Sequence, residues 1–307
     1  MIPVLTAAQV EPLMDWLALT EALAEGHRRP PAQIRDVLMA RAEDRLLSRA
    51  AWIDGLGLGV KSVTVYPANP GQGRPSVQGA MVVFDDATGA PEAVIDNALI
   101  TKWKTAGDSL LGARLLMRPG ARRLAILGAG AVAESLIAAY GALIPGLEVR
   151  IWARRLEAAQ ALAARVSGVE AEADAAAAVG WADIVATCTM ARDPILRGDW
   201  LRPGQHIDLI GAYTPEMREA DDTALRRGRL FVDSRATTIG HIGELMIPMA
   251  AGVIGAADVL GDLHDLVAGR TGRGSPEEIT LFKNGGGAHL DLMTARMILA
   301  RWRAAQG

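Results

Sequence analysis

The 307-residue chain has a single cysteine, Cys188, which excludes an internal disulfide and a multi-thiolate metal site. Aromatic residues make up only 4% of it and there are five histidines. His206, His241, His264 and His289 have no metal-ligand spacing, and each reads as structural. No apolar run approaches the ~18 residues needed to cross a bilayer; the best stretch, residues 136–144, ends at Pro145-Gly146. No block of like charge stands out and the formal net charge is −3. That argues against nucleic acid or an anionic membrane surface as the main partner. Residues 1–10 carry no basic stretch and Glu11 soon follows, so no signal peptide is read and the expected location is the cytoplasm. Neither a Gly-x-Ser-x-Gly elbow nor a Walker loop occurs, which leaves hydrolase and kinase readings without support.

Lysine is also scarce. Only four of the 32 basic residues are lysines: Lys61, Lys102, Lys104 and Lys283. Coding bias accounts for the excess of arginine but not for where the lysines remain. A compact ammonium whose pKa moves on burial is something the wide, permanently charged guanidinium cannot supply.

Against these absences, half of the chain is apolar and 22% is charged, enough for a sizeable core. The length suggests two domains. Residues 1–30 read as helix, with Thr6 and Gln9 spaced as a capping box and Leu13, Trp16, Leu17, Leu19 and Leu23 forming an apolar stripe. Residues 45–53, 58–66 and 77–84 are short, rich in β-branched, aliphatic and aromatic residues, and separated by turns such as Asn69-Pro70-Gly71. They read as an antiparallel sheet, followed by a helix over 98–117. From Arg122 the rhythm becomes strand, helix, strand, with strands at 124–127, 147–152, 183–187, 205–210, 230–232 and 279–282. Helices over 131–143 and 154–166 lie between them, and the last helix spans 290–303. The alternation implies a parallel sheet covered on both faces. The expected class is therefore α/β, a Rossmann-type parallel-sheet domain over 118–287 joined to an α+β domain made of 1–117 with 288–307.

Three motifs carry chemistry. Gly128-Ala129-Gly130-Ala131-Val132-Ala133 follows a buried strand and opens a helix, the context that a dinucleotide-binding fingerprint requires. Gly128 permits the tight turn, Gly130 admits the pyrophosphate, and Ala133 is small enough for helix–strand packing. The second strand ends without a carboxylate and runs into Arg154-Arg155, with no acidic residue before Glu157. Two guanidiniums there suit a 2′-phosphate, so NADP(H) is expected in preference to NAD(H). Lastly, Lys61 sits within an apolar strand, and Lys102 and Lys104 stand near the start of the long helix. Two residues apart, Lys102 and Lys104 cannot share a helical face, so at most one serves a common site.

Taken in order, these segments resemble the ornithine cyclodeaminase/mu-crystallin family over nearly the whole chain. The residues that carry the likeness are Gly59-Val60-Lys61 with Pro67-Ala68-Asn69, residues 85–91 and 101–106, and Gly128-Ala129-Gly130. Further along they are residues 203–206, Ile210-Gly211, Pro215-Glu216-Met217-Arg218-Glu219 and residues 280–286. The resemblance implies a homodimer whose N-terminal segment and C-terminal helix form the substrate-binding and dimerisation domain. It implies a catalytic Lys61, with Lys104 (where the family commonly has arginine) and Arg35 as cations for a substrate carboxylate. It places Ser76, Lys104, Thr105, the Gly128–Val132 loop, Arg154, Arg155, Thr189, Ile210 and Asn284 at positions that contact the cofactor. Family members that release ammonia carry an acidic residue where this chain has Tyr213, which assigns a second catalytic position to Tyr213 and points to the reductase branch. The implied reaction is reduction of a cyclic ketimine carboxylate, Δ1-pyrroline-2-carboxylate or Δ1-piperideine-2-carboxylate, to L-proline or L-pipecolate. The alternatives are ornithine cyclodeamination or amino-acid dehydrogenation on the same fold, and a mu-crystallin-like ligand-binding protein without catalysis.

Overall fold

The computed structural model describes residues 2–307. The chain forms two compact units, one running up to Lys104 and resumed by Gly287–Gly307, the other Thr105–Gly286. The first boundary falls inside the helix Asn97–Leu116, earlier than the expected division after residue 117.

The first unit is built on a six-stranded sheet of β1 (Val4–Leu5), β2 (Gln33–Arg41), β3 (Asp44–Ile53), β4 (Gly57–Val65), β5 (Val77–Phe84) and β6 (Pro91–Asp96), in the order β1-β6-β5-β4-β3-β2. Strands β2 to β6 run antiparallel in sequence, and β1 joins β6 in parallel. Three of these strands, β1, β2 and β6, are additions to the three that the sequence pattern predicts. The expected helix over residues 1–30 is also broken. It starts with a strand, and Pro12 lies in a short 3-10 turn, Glu11–Leu13. Asp15 then opens a new helix, Trp16–Arg28, by accepting the Ala18 amide at 2.7 Å. The predicted Thr6–Gln9 pairing is present, with the Thr6 amide donating to Gln9 Oε1 at 3.0 Å.

Along β4 the side chains alternate, with Gly57, Gly59, Lys61 and Val63 turned to the buried face. The C-terminal helix Ala288–Ala304 packs on β3, β4 and β5 and on the helix Trp16–Arg28. A period-2 strand thus puts a lysine into an apolar layer, and only the covering helix can neutralise it.

The second unit carries an eight-stranded parallel sheet of β7 (Arg123–Leu127), β8 (Glu148–Trp152), β9 (Val169–Ala171), β10 (Ile184–Thr187), β11 (His206–Leu209), β12 (Arg229–Val232), β13 (Val259–Gly261) and β14 (Thr280–Lys283). Its order is β13-β12-β14-β11-β10-β7-β8-β9. Apart from Arg123 at the start of β7, the central strands β7, β10, β11 and β14 are buried, as covering a parallel sheet on both faces demands. The chain winds outward from β7 through β8 to β9 and returns on the other side of β7 with β10. Strand order therefore reverses between β7 and β10, and the crevice beyond the carboxyl ends of those strands is where such sheets bind ligands. The helix expected over 154–166 is shorter, Leu156–Ala163, so Arg154 and Arg155 precede it rather than lie on it.

Candidate active site

In the first unit the site is a group of three cations, Lys61, Lys104 and Arg49, with two carboxylates, Asp291 and Asp36. Lys61, 6% exposed, donates from Nζ to Asp291 Oδ1 at 2.7 Å, and Asp291 is wholly buried on the C-terminal helix. Strand register places Arg49 on β3 directly opposite Lys61, and Asp36 on β2 opposite Arg49. Arg49 Nη2 reaches Asp36 Oδ2 at 2.8 Å. Burial pulls the Lys61 ammonium below the usual lysine range; Asp291 opposes that shift, while the charges of Lys104 and Arg49 reinforce it. Burial works to raise the Asp291 carboxyl, but Lys61 and Lys104 outweigh it and hold the group below its ordinary value. The pair is thus ionised, with an ammonium that gives up its proton more readily than a solvated lysine does.

Lys104 is half-buried on the long helix and acts on both members of the pair, whereas Lys102 is taken up elsewhere by Glu11 at 2.6 Å. Arg35 stands differently. It pairs across the sheet with Ala50, and Ala50 with Val60, so its side chain leaves the face opposite to that of Lys61. It is exposed, and Nη1 donates to the carbonyl of neighbouring Ile34 at 2.7 Å. The guanidinium that the fold brings beside Lys61 is that of Arg49. Ser76 lies half-buried just before β5, its carbonyl accepting the Tyr66 amide at 2.7 Å.

In the second unit the glycine loop joins β7 to the helix Ala131–Leu143. Gly128 has φ of +137°, and a Cβ there would stand 2.7 Å from Cys188 Sγ and 2.9 Å from the Cys188 carbonyl. Only glycine fits between the ends of β7 and β10. Gly130 is the opposite case: it caps the helix, no side chain bonds the first-turn amides, and open space lies where its Cβ would be. Free amides at the positive end of a 13-residue helix, facing space that only a Cβ-less residue leaves open, fit a pyrophosphate. Ala129, Ala131 and Val132 complete this turn, and Ala133 is fully buried beneath it.

Further expected positions follow other strands of the same sheet. Thr189 follows β10, and Ile210 follows β11 with its amide on the Thr187 carbonyl at 2.9 Å. Asn284 follows β14, its amide on the Leu209 carbonyl at 3.1 Å, and its Nδ2 donates to the Thr105 carbonyl at 3.0 Å and to Ser109 Oγ at 2.9 Å. Arg154 and Arg155 are exposed beyond β8, and among the described residues neither is ion-paired. Tyr213 projects 60% exposed from the loop after β11.

Cys188 has no nucleophilic setting, since burial first, then the nearby Glu219 and Asp208 charges, push its thiol up. His206 is buried against Thr280 Oγ1 at 2.9 Å and pushed down to about 3 by burial and Arg273, which suits the structural part read for it. Among the described residues no group of three or more His, Cys, Asp or Glu could hold a metal ion, and no helix is long and apolar enough to cross a membrane.

The sequence reading does not single out Asp291 or Arg49, and it marks the wholly buried Lys283 only as one of the four lysines. Lys283 Nζ donates to the Leu209 and Asn284 carbonyls, both at 2.8 Å. Scarcity of lysine is the one signal that marks Lys283.

A sequence model of the ornithine cyclodeaminase/mu-crystallin family matches residues 4–306. A Δ1-pyrroline-2-carboxylate reductase of Paracoccus denitrificans is 55% identical over 291 residues, spanning 93% of this chain and 92% of its own. Among solved structures, Thermococcus litoralis Δ1-pyrroline-2-carboxylate reductase, in complex with NADH and L-proline, superposes with a TM-score of 0.92. It is 27% identical and covers 99% of this chain and 98% of its own. An archaeal alanine dehydrogenase dimer with bound NAD gives 0.91 at 28% identity, covering 100% and 97%.

Proposed function

Because the chain belongs to the ornithine cyclodeaminase/mu-crystallin family, we propose that it is a nicotinamide-dinucleotide-dependent oxidoreductase acting on C=N. Its substrates are cyclic ketimine carboxylates, the five-membered Δ1-pyrroline-2-carboxylate and the six-membered Δ1-piperideine-2-carboxylate, giving L-proline and L-pipecolate. The observation that carries this reading is the buried Lys61–Asp291 pair with Lys104 and Arg49 around it. Three cations facing two carboxylates, Asp291 and Asp36, leave one positive charge for an anionic substrate, and one of the cations is a compact, acidified ammonium.

Gly128–Val132, Thr189, Ile210, Thr105 and Asn284 would hold the dinucleotide, which would supply the hydride when bound. Reduction of C=N also needs a proton on nitrogen, and supplying it is the chain's part. Lys61 Nζ is the donor, since its lowered pKa makes proton release at neutral pH easier than from a free lysine. Asp291 fixes Nζ and keeps it charged until transfer. Lys104 orients the substrate carboxylate, and Arg49 adds charge to the same side. Tyr213 covers the ring and offers a hydroxyl in place of the carboxylate that ammonia loss requires.

NADP(H) is preferred over NAD(H), because Arg154 and Arg155 stand free where a ribose-binding carboxylate would otherwise be. The two archaeal relatives bear NADH and NAD, so the preference is this chain's own feature. The protein works as a homodimer, as the archaeal alanine dehydrogenase does. Supporting this, the unpaired edge strand β2 exposes Val37, Leu38 and Met39 by more than half.

Incubation with deuterated NADPH and Δ1-pyrroline-2-carboxylate tests the reaction. The product expected is L-proline carrying one deuterium at Cα. Unlabelled or racemic proline contradicts it.

A further inference from the structure

The segment Pro215-Glu216-Met217-Arg218-Glu219 is left without a part in this chemistry, yet it ends in a wholly buried carboxylate with five donors. Glu219 Oε1 accepts from the Thr189 amide at 2.7 Å and from Thr189 Oγ1 at 2.8 Å. Oε2 accepts from Thr187 Oγ1 at 2.8 Å, the Gly211 amide at 2.6 Å and the Ala212 amide at 3.3 Å. The five donors come from the last residue of β10, Thr187, and from the connections that leave the carboxyl ends of β10 and β11.

The Glu219 backbone is anchored independently of its side chain. Its amide donates to Glu244 Oε2 at 2.8 Å, and its carbonyl accepts the Ile195 and Leu196 amides at 2.8 and 2.9 Å. The fold therefore has no need of the carboxylate to hold this segment. From that fixed point the side chain reaches across to the loops. Lys283 grips the same turn from its carbonyl side, through the Leu209 oxygen. Gly211 is pressed so close to Thr189 that a Cβ would stand 1.9 Å from the Thr189 carbonyl. Gly243 donates to the Thr214 carbonyl at 2.9 Å, holding the far end of the loop that bears Tyr213.

We propose that Glu219 is a positioning residue for the dinucleotide, its carboxylate fixing Thr189 and the Ile210–Ala212 turn in their ligand-ready places before the cofactor arrives. The inference rests on the dinucleotide reading given above. A carboxylate is the group required, because it accepts at both oxygens and donates at neither. In Glu219→Gln the amide nitrogen must face N–H and O–H donors on one side whichever way it turns, leaving buried donors unmet. Glu219→Asp stays acceptor-only but falls one methylene short.

The test compares wild type, Glu219→Gln, Glu219→Asp and Thr187→Val in the full-length protein. NADPH and NADH affinities are titrated by the fluorescence of the bound reduced dinucleotide, beside kcat, KM and Tm. Glu219→Gln is expected to raise the dinucleotide Kd and KM at least tenfold, and Glu219→Asp to fall between it and wild type. A role confined to stability would lower Tm and leave the dinucleotide Kd of the folded protein within twofold of wild type; that result overturns the proposal. If Glu219→Gln does not fold, Thr187→Val decides, since it removes one donor by an isosteric change. A threefold or larger rise in Kd supports the proposal and an unchanged Kd overturns it. A wild type that binds dinucleotide but reduces no ketimine would sink the substrate reading alone, and the Kd series would still decide on Glu219. A wild type that binds neither dinucleotide sinks both.

Discussion

Lys61 and Asp291 form an ion pair that water barely reaches, so each depends on the other. Removing one partner of a buried pair costs about 3–5 kcal/mol, because the remaining charge is stranded. Lys61→Met is therefore expected to lower Tm markedly and abolish most turnover while sparing dinucleotide affinity. Lys61→Met combined with Asp291→Leu should recover most of the Tm and none of the turnover. Calorimetry beside kcat checks this, and a double variant that turns over normally removes Lys61 from the chemistry. Lys104 makes a simpler case: Lys104→Ala loses one charge-assisted contact, about 1.5–3 kcal/mol, or roughly 10- to 150-fold in kcat/KM for the ketimine. Normal reduction by that variant would make Lys104 an ordinary helix lysine.

The pH dependence follows from the same residues. Lys61 must carry its proton to deliver it, and burial has moved its loss below the ordinary lysine range. The alkaline limb of kcat/KM should fall earlier than a free lysine dictates. Asp291→Asn removes the charge that holds the proton, so it should shift that limb further toward neutrality. A limb that stays put in Asp291→Asn assigns it to another group. Lys61 could be found in the sequence because a charged residue interrupts an apolar, alternating strand. Asp291 could not: it lies 230 positions away on an amphipathic helix, where one acidic residue reads as solvated surface, and only the packing of that helix on β4 brings the two together.

At the level of elements, the glycine loop after β7 and the arginine pair after β8 were read from local pattern, whereas Thr189, Ile210 and Asn284, after β10, β11 and β14, came only from the family resemblance. A buried strand entering Gly-x-Gly needs no tertiary information. Likewise, the absence of an acidic residue at the end of β8 is visible by inspection. Arg154→Asp should weaken NADPH by roughly 10- to 100-fold, the worth of a lost charge-assisted phosphate contact, with little effect on NADH. Equal losses for the two dinucleotides would take Arg154 away from the 2′-phosphate. Strand β2 was not legible, and the reason is physical. Its residues are exposed on both faces within the chain, so no period-2 alternation marks it. Strands β9 and β13 have three residues each, too few to show a period. Missing β2 also hid the register that sends Arg35 and Lys61 to opposite faces of the sheet. Sequence order cannot supply that parity, because one residue of slip reverses it.

For the whole molecule, the parallel sheet and the antiparallel sheet were readable from rhythm, while assembly and long-range charge were not. In the proposed homodimer, Leu38→Glu with Met39→Glu should separate the subunits, since each aliphatic buried at the interface contributes about 1.5–3 kcal/mol. Sedimentation at micromolar concentration checks it, and an intact dimer moves the interface elsewhere. Stability should also carry the mark of the buried Asp208, raised by burial to about 7. Because its folded pKa lies above the unfolded value, its contribution is present at low pH and is lost as pH rises from about 4 to 7. Asp208 accepts from the Ser109 and Tyr140 hydroxyls, which can rotate to suit an amide. Asp208→Asn should flatten the dependence of Tm on pH across that window, and an unaltered slope would refute the assignment.

The central claim is that this fold, with its acidified Lys61 and with Tyr213 in place of a carboxylate, reduces ring imines and does not release ammonia. The most direct measurement follows NADPH oxidation with Δ1-pyrroline-2-carboxylate and Δ1-piperideine-2-carboxylate, in parallel with ammonia release from ornithine by the same preparation. The account predicts rapid oxidation with at least one ring and no ammonia above background. Ammonia release from ornithine with neither ring reduced would contradict it.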